Sequence, residues 1–99
     1  MSNVIVSGKI KIAETSRDKA LGLIGPLVEA TRQEAGCISY GFYEDLTTQG
    51  AFQLHEIWES QEALDAHMQT PHIATFNASI GEIEVLDLSI DFYDATKRA

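Results

Sequence analysis

A chain of 99 residues with 44% apolar and 22% charged residues suits one globular domain, 1–99, that buries roughly 65% of its unfolded surface. Fifteen acids against seven bases give a formal charge of −8, with no Lys/Arg cluster, which argues against nucleic acid and anionic membrane surfaces as partners. The single cysteine, Cys37, excludes an internal disulfide framework, and no stretch is apolar for long enough to read as a signal peptide or a membrane span. The expected location is the cytoplasm.

In chain order, "VIVSGKIKI" alternates, with Val4, Val6, Gly8, Ile10 and Ile12 on one face of a half-buried strand. "TSRD" supplies Thr15 or Ser16 as helix N-cap and Asp18 in the first turn. The helix that follows is expected to bury Leu21, Ile24, Val28 and Thr31, with Leu23 and Leu27 widening the stripe. Pro26 removes one helical hydrogen bond and predicts a kink near Gly22 to Pro26, and Gly36 is the C-cap candidate.

"CISYGFYED" reads as a second strand, with Ile38, Tyr40 and Phe42 on one face and Cys37, Ser39 and Tyr43 on the other. "LTTQG" is a hairpin loop, and "AFQLHEIWE" returns as a third strand with Phe52, Leu54, Glu56 and Trp58 on one side. Ser60 caps a short helix with Ala63, Leu64, His67 and Met68 inside, and Thr70-Pro71 starts another that buries Ile73, Phe76 and Ile80. "EVLDLSIDFYD" places Leu86, Leu88, Ile90 and Phe92 against Asp87, Ser89 and Asp91. The order β-α-β-β-α-β predicts an α+β, ferredoxin-like fold: a four-stranded antiparallel sheet with its helices on one face. The other face, carrying Ile5, Cys37, Tyr43, Ile57, Ile83 and Val85, is expected to meet a second copy of the chain.

Glu56 stands between Leu54 and Trp58 on the apolar face. It is either a pocket acid or base with a raised pKa, or a structural carboxylate bonded to backbone N–H groups or to a neighbouring helix such as at His67. His67 shares its helix face with Leu64 and Met68 and reads as a packed core histidine or a proton-transfer group. His72 sits in a helix first turn, where free N–H groups favour anions and a neutral imidazole. His55 points to the other sheet face and the His67–His72 spacing matches no standard ligand motif, so no metal site is expected. Cys37, with no histidine nearby in sequence, is not expected to be a nucleophile. Trp58, Tyr40, Phe42, Phe52, Phe76 and Phe92 are either plain core or the wall of a cavity for a flat aromatic ligand.

"EAGCISYGFYED" resembles the "E-x-G-C-x-x-Y" turn of the antibiotic-biosynthesis-monooxygenase family. "HEIWESQEALDAHMQTPHIATF" resembles its "E-x-W-x-s-x-e-A-l-x-a-H-x-x-t-p-H" stretch, closest to the bacterial quinol-monooxygenase branch. The resemblance implies a dimeric α/β barrel that oxygenates a quinol or polyphenolic aromatic with dioxygen, needing no cofactor because the substrate anion supplies the electrons. On this chain it implies a catalytic set of His67 or His72 for proton transfer and Glu56 to orient or hydrogen-bond, with Trp58 lining the pocket; Tyr40, Phe52, Leu54 and Phe76, on the inner face, are expected to bind substrate beside it. Relatives that degrade haem carry a tryptophan where this chain has His67 and a histidine near Asn77, so haem is not expected. Two alternatives stay open: a keto–enol isomerase of a small, phosphorylated hydroxy-ketone, and a non-catalytic dimer that binds an aromatic ligand.

Overall fold

The computed structural model describes residues 2–98; Met1, which opens the first alternating segment, and Ala99 lie outside the described residues. Strands β1 (Asn3–Ile12), β2 (Cys37–Glu44), β3 (Ala51–Trp58) and β4 (Val85–Ala95) form one sheet in the order β2-β3-β1-β4. Every neighbouring pair is antiparallel. Helices α1 (Arg17–Thr31), α2 (Gln61–His67) and α3 (Pro71–Ser79) complete the ferredoxin-like arrangement expected from the sequence.

Two apolar clusters hold the layers together. One joins Val4, Val6, Leu27, Tyr40, Trp58, Leu64 and Ile73; the other joins Ile12, Ala20, Phe52 and Ile83. Helix α1 runs unbroken through Gly25 and Pro26. Its buried line is Ala20, Leu27 and Thr31, so Leu21, expected inside, is exposed on the neighbouring turn face. Ser16 does not cap α1: its hydroxyl accepts the Glu84 N–H at 3.0 Å and ties the helix start to the chain entering β4. Ser60 and Thr70 do cap, accepting from Ala63 N–H at 3.1 Å and Ile73 N–H at 3.4 Å, with Pro71 opening α3.

Four facing assignments change, three of them where strands slip. A bulge between Cys37 and Ser39 leaves Ile38 unpaired and exposed and turns Cys37 toward the helices beside Trp58. A second irregularity, beside Ile12, pairs that residue with Val85 and brings Val85 to the helix side. Ile83, which precedes β4, is buried in the core instead of lying on the open face. The largest departure concerns β4 itself. Leu88, Ile90 and Phe92 share the side of Ile10, Gly8 and Val6, as the alternation predicts, yet they and Leu86 are exposed. β4 is an edge strand, and the helices pack over β1, β2 and β3.

Candidate active site

The turn between α1 and β2 places a residue that the spacing of the sequence does not single out. Gly36 adopts φ +84°, and a Cβ there would lie 2.5 Å from the Ala63 Cβ of α2, so only glycine lets this turn close against that helix. The Gly36 carbonyl accepts the Glu59 N–H at 2.9 Å, fixing the turn to the end of β3. Glu34 is thereby held beside the α2–α3 junction.

There Glu34 Oε2 lies 2.7 Å from His67 Nδ1 and 2.6 Å from His72 Nε2. An ionised carboxylate only accepts hydrogen bonds, so each of these ring nitrogens donates an N–H to it. Neutral His67 is thus fixed as the Nδ1–H tautomer, and its Nε2 keeps a free lone pair. The His67 ring is 2% exposed and packs between Trp58 and Tyr40, with ring centroids 4.7 and 5.5 Å away. His72 is the more open partner, its side chain 23% exposed. Thr70 secures the junction by donating its hydroxyl to the His67 carbonyl at 2.7 Å while capping α3.

Beside this triad is a cavity of about 170 Å³, walled by Tyr40, Phe42, Leu54, Phe76, Ile90 and Phe92 and by the polar groups Glu56, His67 and Asn77. His67 lines it and Glu34 does not, and because Glu34 engages Nδ1, Nε2 is the ring nitrogen left for a ligand there. The cavity shares Phe42, Leu54, Phe76, Asn77 and Ile90 with an adjoining hollow of about 260 Å³ under β4.

Glu56 answers the question its setting raises through a partner on its own strand: it accepts the Trp58 indole N–H at 2.8 Å. Burial raises its pKa, opposed by that hydrogen bond and by His67. Burial also pushes the Tyr40 phenol far up, with the charges of Glu56 and Glu34 adding to the effect, so Tyr40 stays protonated in this site and is not a base. The Cys37 thiol is raised too, by burial first and then by Glu34 and Glu56, which keeps it protonated and unreactive.

Of the residues the sequence nominates, Glu56, His67, Tyr40, Leu54 and Phe76 meet at the cavity. His72 does not line it and is linked through Glu34 to His67, which does. Trp58 is not a wall residue: it is fully buried behind His67 and Glu56. Phe52 belongs to the second apolar cluster, with Ile12, Ala20 and Ile83, away from the cavity. The residue missed is Glu34. It lies 33 and 38 positions from its histidines, and the sole signal for it is the "EAGC" turn that carries the family resemblance.

A four-stranded antiparallel sheet with helices on one face, and a histidine–carboxylate group at an apolar cavity, defines a small ferredoxin-like α+β protein with a candidate acid–base site. Residues 3–79 match the model of the antibiotic biosynthesis monooxygenase family, and the chain belongs to that family. It is similar to the Synechocystis protein sll1783, with 40% identity over 73 residues; these cover 74% of this chain and 50% of that one, so the matched segment spans about half that relative's length. It is 28% identical to YgiN of Escherichia coli, named as a probable quinol monooxygenase, covering 91% of this chain and 93% of that one. The solved structure of Rv0793 from Mycobacterium tuberculosis superposes with a TM-score of 0.87 at 28% identity, covering 98% and 97% of the two chains. Among the described residues no helix is long and apolar enough to cross a membrane.

Proposed function

We propose that the protein is a cofactor-independent monooxygenase acting on a quinol or polyphenolic aromatic, and that it works as a homodimer. One observation carries this reading: His67 lines an apolar cavity while Glu34 holds its Nδ1–H, leaving Nε2 to take a proton from a bound hydroxyl. The aromatic ring lies among Phe42, Leu54 and Phe76, and the adjoining hollow gives the pair the scale of small-ligand pockets, about 300–1,000 Å³.

In the proposed reaction the substrate O–H gives its proton to His67 Nε2, and the imidazolium is stabilised by the Glu34 carboxylate. The substrate anion passes one electron to dioxygen, the radical pair combines at a ring C–H carbon, and the resulting peroxide anion takes the proton back from His67 to give a hydroperoxide. Loss of water converts that carbon to a carbonyl. One oxygen atom enters the product and the other leaves as water, and all the electrons come from the substrate. Tyr40 donates a hydrogen bond to the developing anion, and the apolar walls keep bulk water from it.

A keto–enol isomerase would employ the same histidine. A phosphorylated ligand calls for a cluster of cations, whereas the cavity's ionisable groups besides Tyr40 are Glu56 and His67 and the adjoining hollow adds one lysine, Lys9. That electrostatic balance favours a neutral phenolic substrate, and likewise gives no reason to prefer passive ligand storage over proton transfer.

The test is dioxygen uptake with chemically reduced naphthoquinols in chelator-treated buffer, with matched autoxidation controls. Saturable uptake in proportion to protein is expected. Uptake no faster than autoxidation across several quinols rejects the oxygenase reading.

A further inference from the structure

We propose that Glu34, His67 and His72 also form a binding site for one divalent transition-metal ion of the zinc class, and that the ion blocks the site's proton-accepting nitrogen. The three ligand atoms lie within 4.8 Å of one another, and they are the sole such trio among the described residues. Two imidazoles and a carboxylate are a zinc-type donor set that leaves a fourth, open coordination position. Nickel and copper favour imidazole as well, so the chemistry selects the class of ion and not one element.

The site is organised before any ion arrives. Trp58 and Tyr40 clamp the His67 ring, and the Thr70 cap with Pro71 fixes the first turn of α3 that carries His72. Glu34 stands on a turn outside helix and strand, so its side chain is the adjustable member. Its present contacts of 2.7 and 2.6 Å are hydrogen-bond lengths. Ligands at about 2.0–2.1 Å from a tetrahedral ion stand about 3.4 Å apart, so the carboxylate must recede by several tenths of an ångström, and the two ring nitrogens, within 4.8 Å of each other, must close to the same spacing through His72, the more open of the pair. Side-chain exposure rises from 2% at His67 through 13% at Glu34 to 23% at His72, a gradient that gives an ion an approach from the surface. That approach is the groove between α1 and α3 formed by Gly22, Pro26, His72 and Thr75.

Metal and hydrogen-bonded triad exclude each other. An ion needs the lone pairs of His67 Nδ1 and His72 Nε2, both of which now carry protons toward Glu34. With Nδ1 on the metal, the His67 proton sits on Nε2 and that nitrogen becomes a donor. The Glu56 carboxyl, the Asn77 amide oxygen and the Tyr40 hydroxyl line the same cavity as acceptors. The inhibitory consequence rests on the proposed base role of His67; binding itself does not.

The experiment titrates the full chain, freed of metal by chelator, with Co²⁺ and then Zn²⁺. Calorimetry, visible absorption of cobalt and imidazole ¹⁵N shifts are the readouts. Expected are one ion per chain, four-coordinate cobalt bands lost on adding zinc, and shifts confined to His67 and His72. Glu34→Gln and His72→Ala should each weaken binding by at least about tenfold, while His55→Ala, on the opposite sheet face, should not. Unmoved His67 and His72 ¹⁵N signals at saturating zinc overturn the site without recourse to any variant. Zinc bound through these nitrogens with quinol-dependent oxygen uptake undiminished overturns the blocking role and, with it, His67 as base. Absence of uptake in the metal-free protein sinks the oxygenase reading alone, because the ¹⁵N shifts decide the metal site independently.

Discussion

Trp58 and Glu56 are joined side chain to side chain across one pleat of β3, the indole N–H donating to the carboxylate at 2.8 Å while both are buried. The pair lets one strand carry a carboxyl group into an apolar layer with its hydrogen-bond demand met. The same pair sets a pH dependence. Burial raises the Glu56 pKa, so the native state holds this proton more tightly than the unfolded chain does. Below the ordinary glutamate range both states are protonated. As pH rises through the window up to the raised value, the unfolded chain ionises first and stability is lost. Glu56→Gln keeps an acceptor for Trp58 and cannot ionise, so its melting temperature should exceed that of the parent at pH 7. The gap should close at pH 4. An equal gap at both pH values, read by thermal unfolding, would show that ionisation of Glu56 has no part in it.

Gly36 connects fold stability to the site. Alanine there must adopt φ +84° and meet the Ala63 Cβ at 2.5 Å. A left-handed non-glycine residue alone costs about 1–3 kcal/mol, and the clash adds to it. Gly36→Ala should therefore lower the urea midpoint and, by moving the turn, pull Glu34 from its histidines. Unchanged stability would mean that the turn reshapes at no cost.

Glu34→Gln tests the tautomer argument. Glutamine retains an acceptor but loses the charge that stabilises imidazolium His67, so turnover of a quinol should fall by about 100-fold or more with a small change in KM. His67→Ala should abolish turnover and leave ligand binding measurable. A rise in KM with kcat preserved in Glu34→Gln would make Glu34 a binding group and not the partner of a base.

Much of this architecture is legible in the sequence because it rests on local rules. Alternation gives β1 and β3, Ser60 and Thr70-Pro71 give the starts of α2 and α3, and the element order gives the topology. What escapes is non-local. The bulge at Ile38 reverses the side on which Cys37 lies, and no residue of that segment announces it. The alternation of β4 correctly places Ile90 and Phe92 on the helix side, but only the packing reveals that no helix covers them. In the site, two of the three triad members are readable from their helix faces. Glu34 reaches them through the Gly36 turn, a relationship of tertiary structure that neither periodicity nor spacing encodes.

On the far side of the molecule, the Arg17 guanidinium grips Glu44 at 2.9 and 2.6 Å, and the Gly50 N–H adds a third bond at 2.9 Å. These contacts hold the Glu44 pKa at about 2, below the ordinary 4.5. A lowered folded-state value means that the stabilisation is complete above pH 4.5 and is lost as pH falls toward 2. The urea midpoint of the parent should thus exceed that of Glu44→Gln at pH 7, with the difference shrinking through this acid window. A difference that grows on acidification would contradict the assignment. Because both side chains are partly exposed, raising the salt concentration should also narrow the gap.

The exposed row on β4 bears on assembly. Leu88, Ile90 and Phe92 point to the helix side of an edge strand with no helix over them, and Phe92 is 64% exposed. Ile90 and Phe92 also form the outer wall of the cavity. A second copy covering this row would bury apolar side chains and close the site from water in one step, which is why the proposed dimer and the proposed chemistry belong together. Sedimentation at micromolar concentration should return the mass of two chains. Phe92→Asp, placing a charge in that interface, should return the mass of one with secondary structure intact. The monomer so formed should oxidise quinols more slowly, because its cavity is left open along β4. A parent that sediments as one chain at these concentrations removes the dimer. A monomeric variant with full turnover separates assembly from catalysis and confines the site to a single subunit.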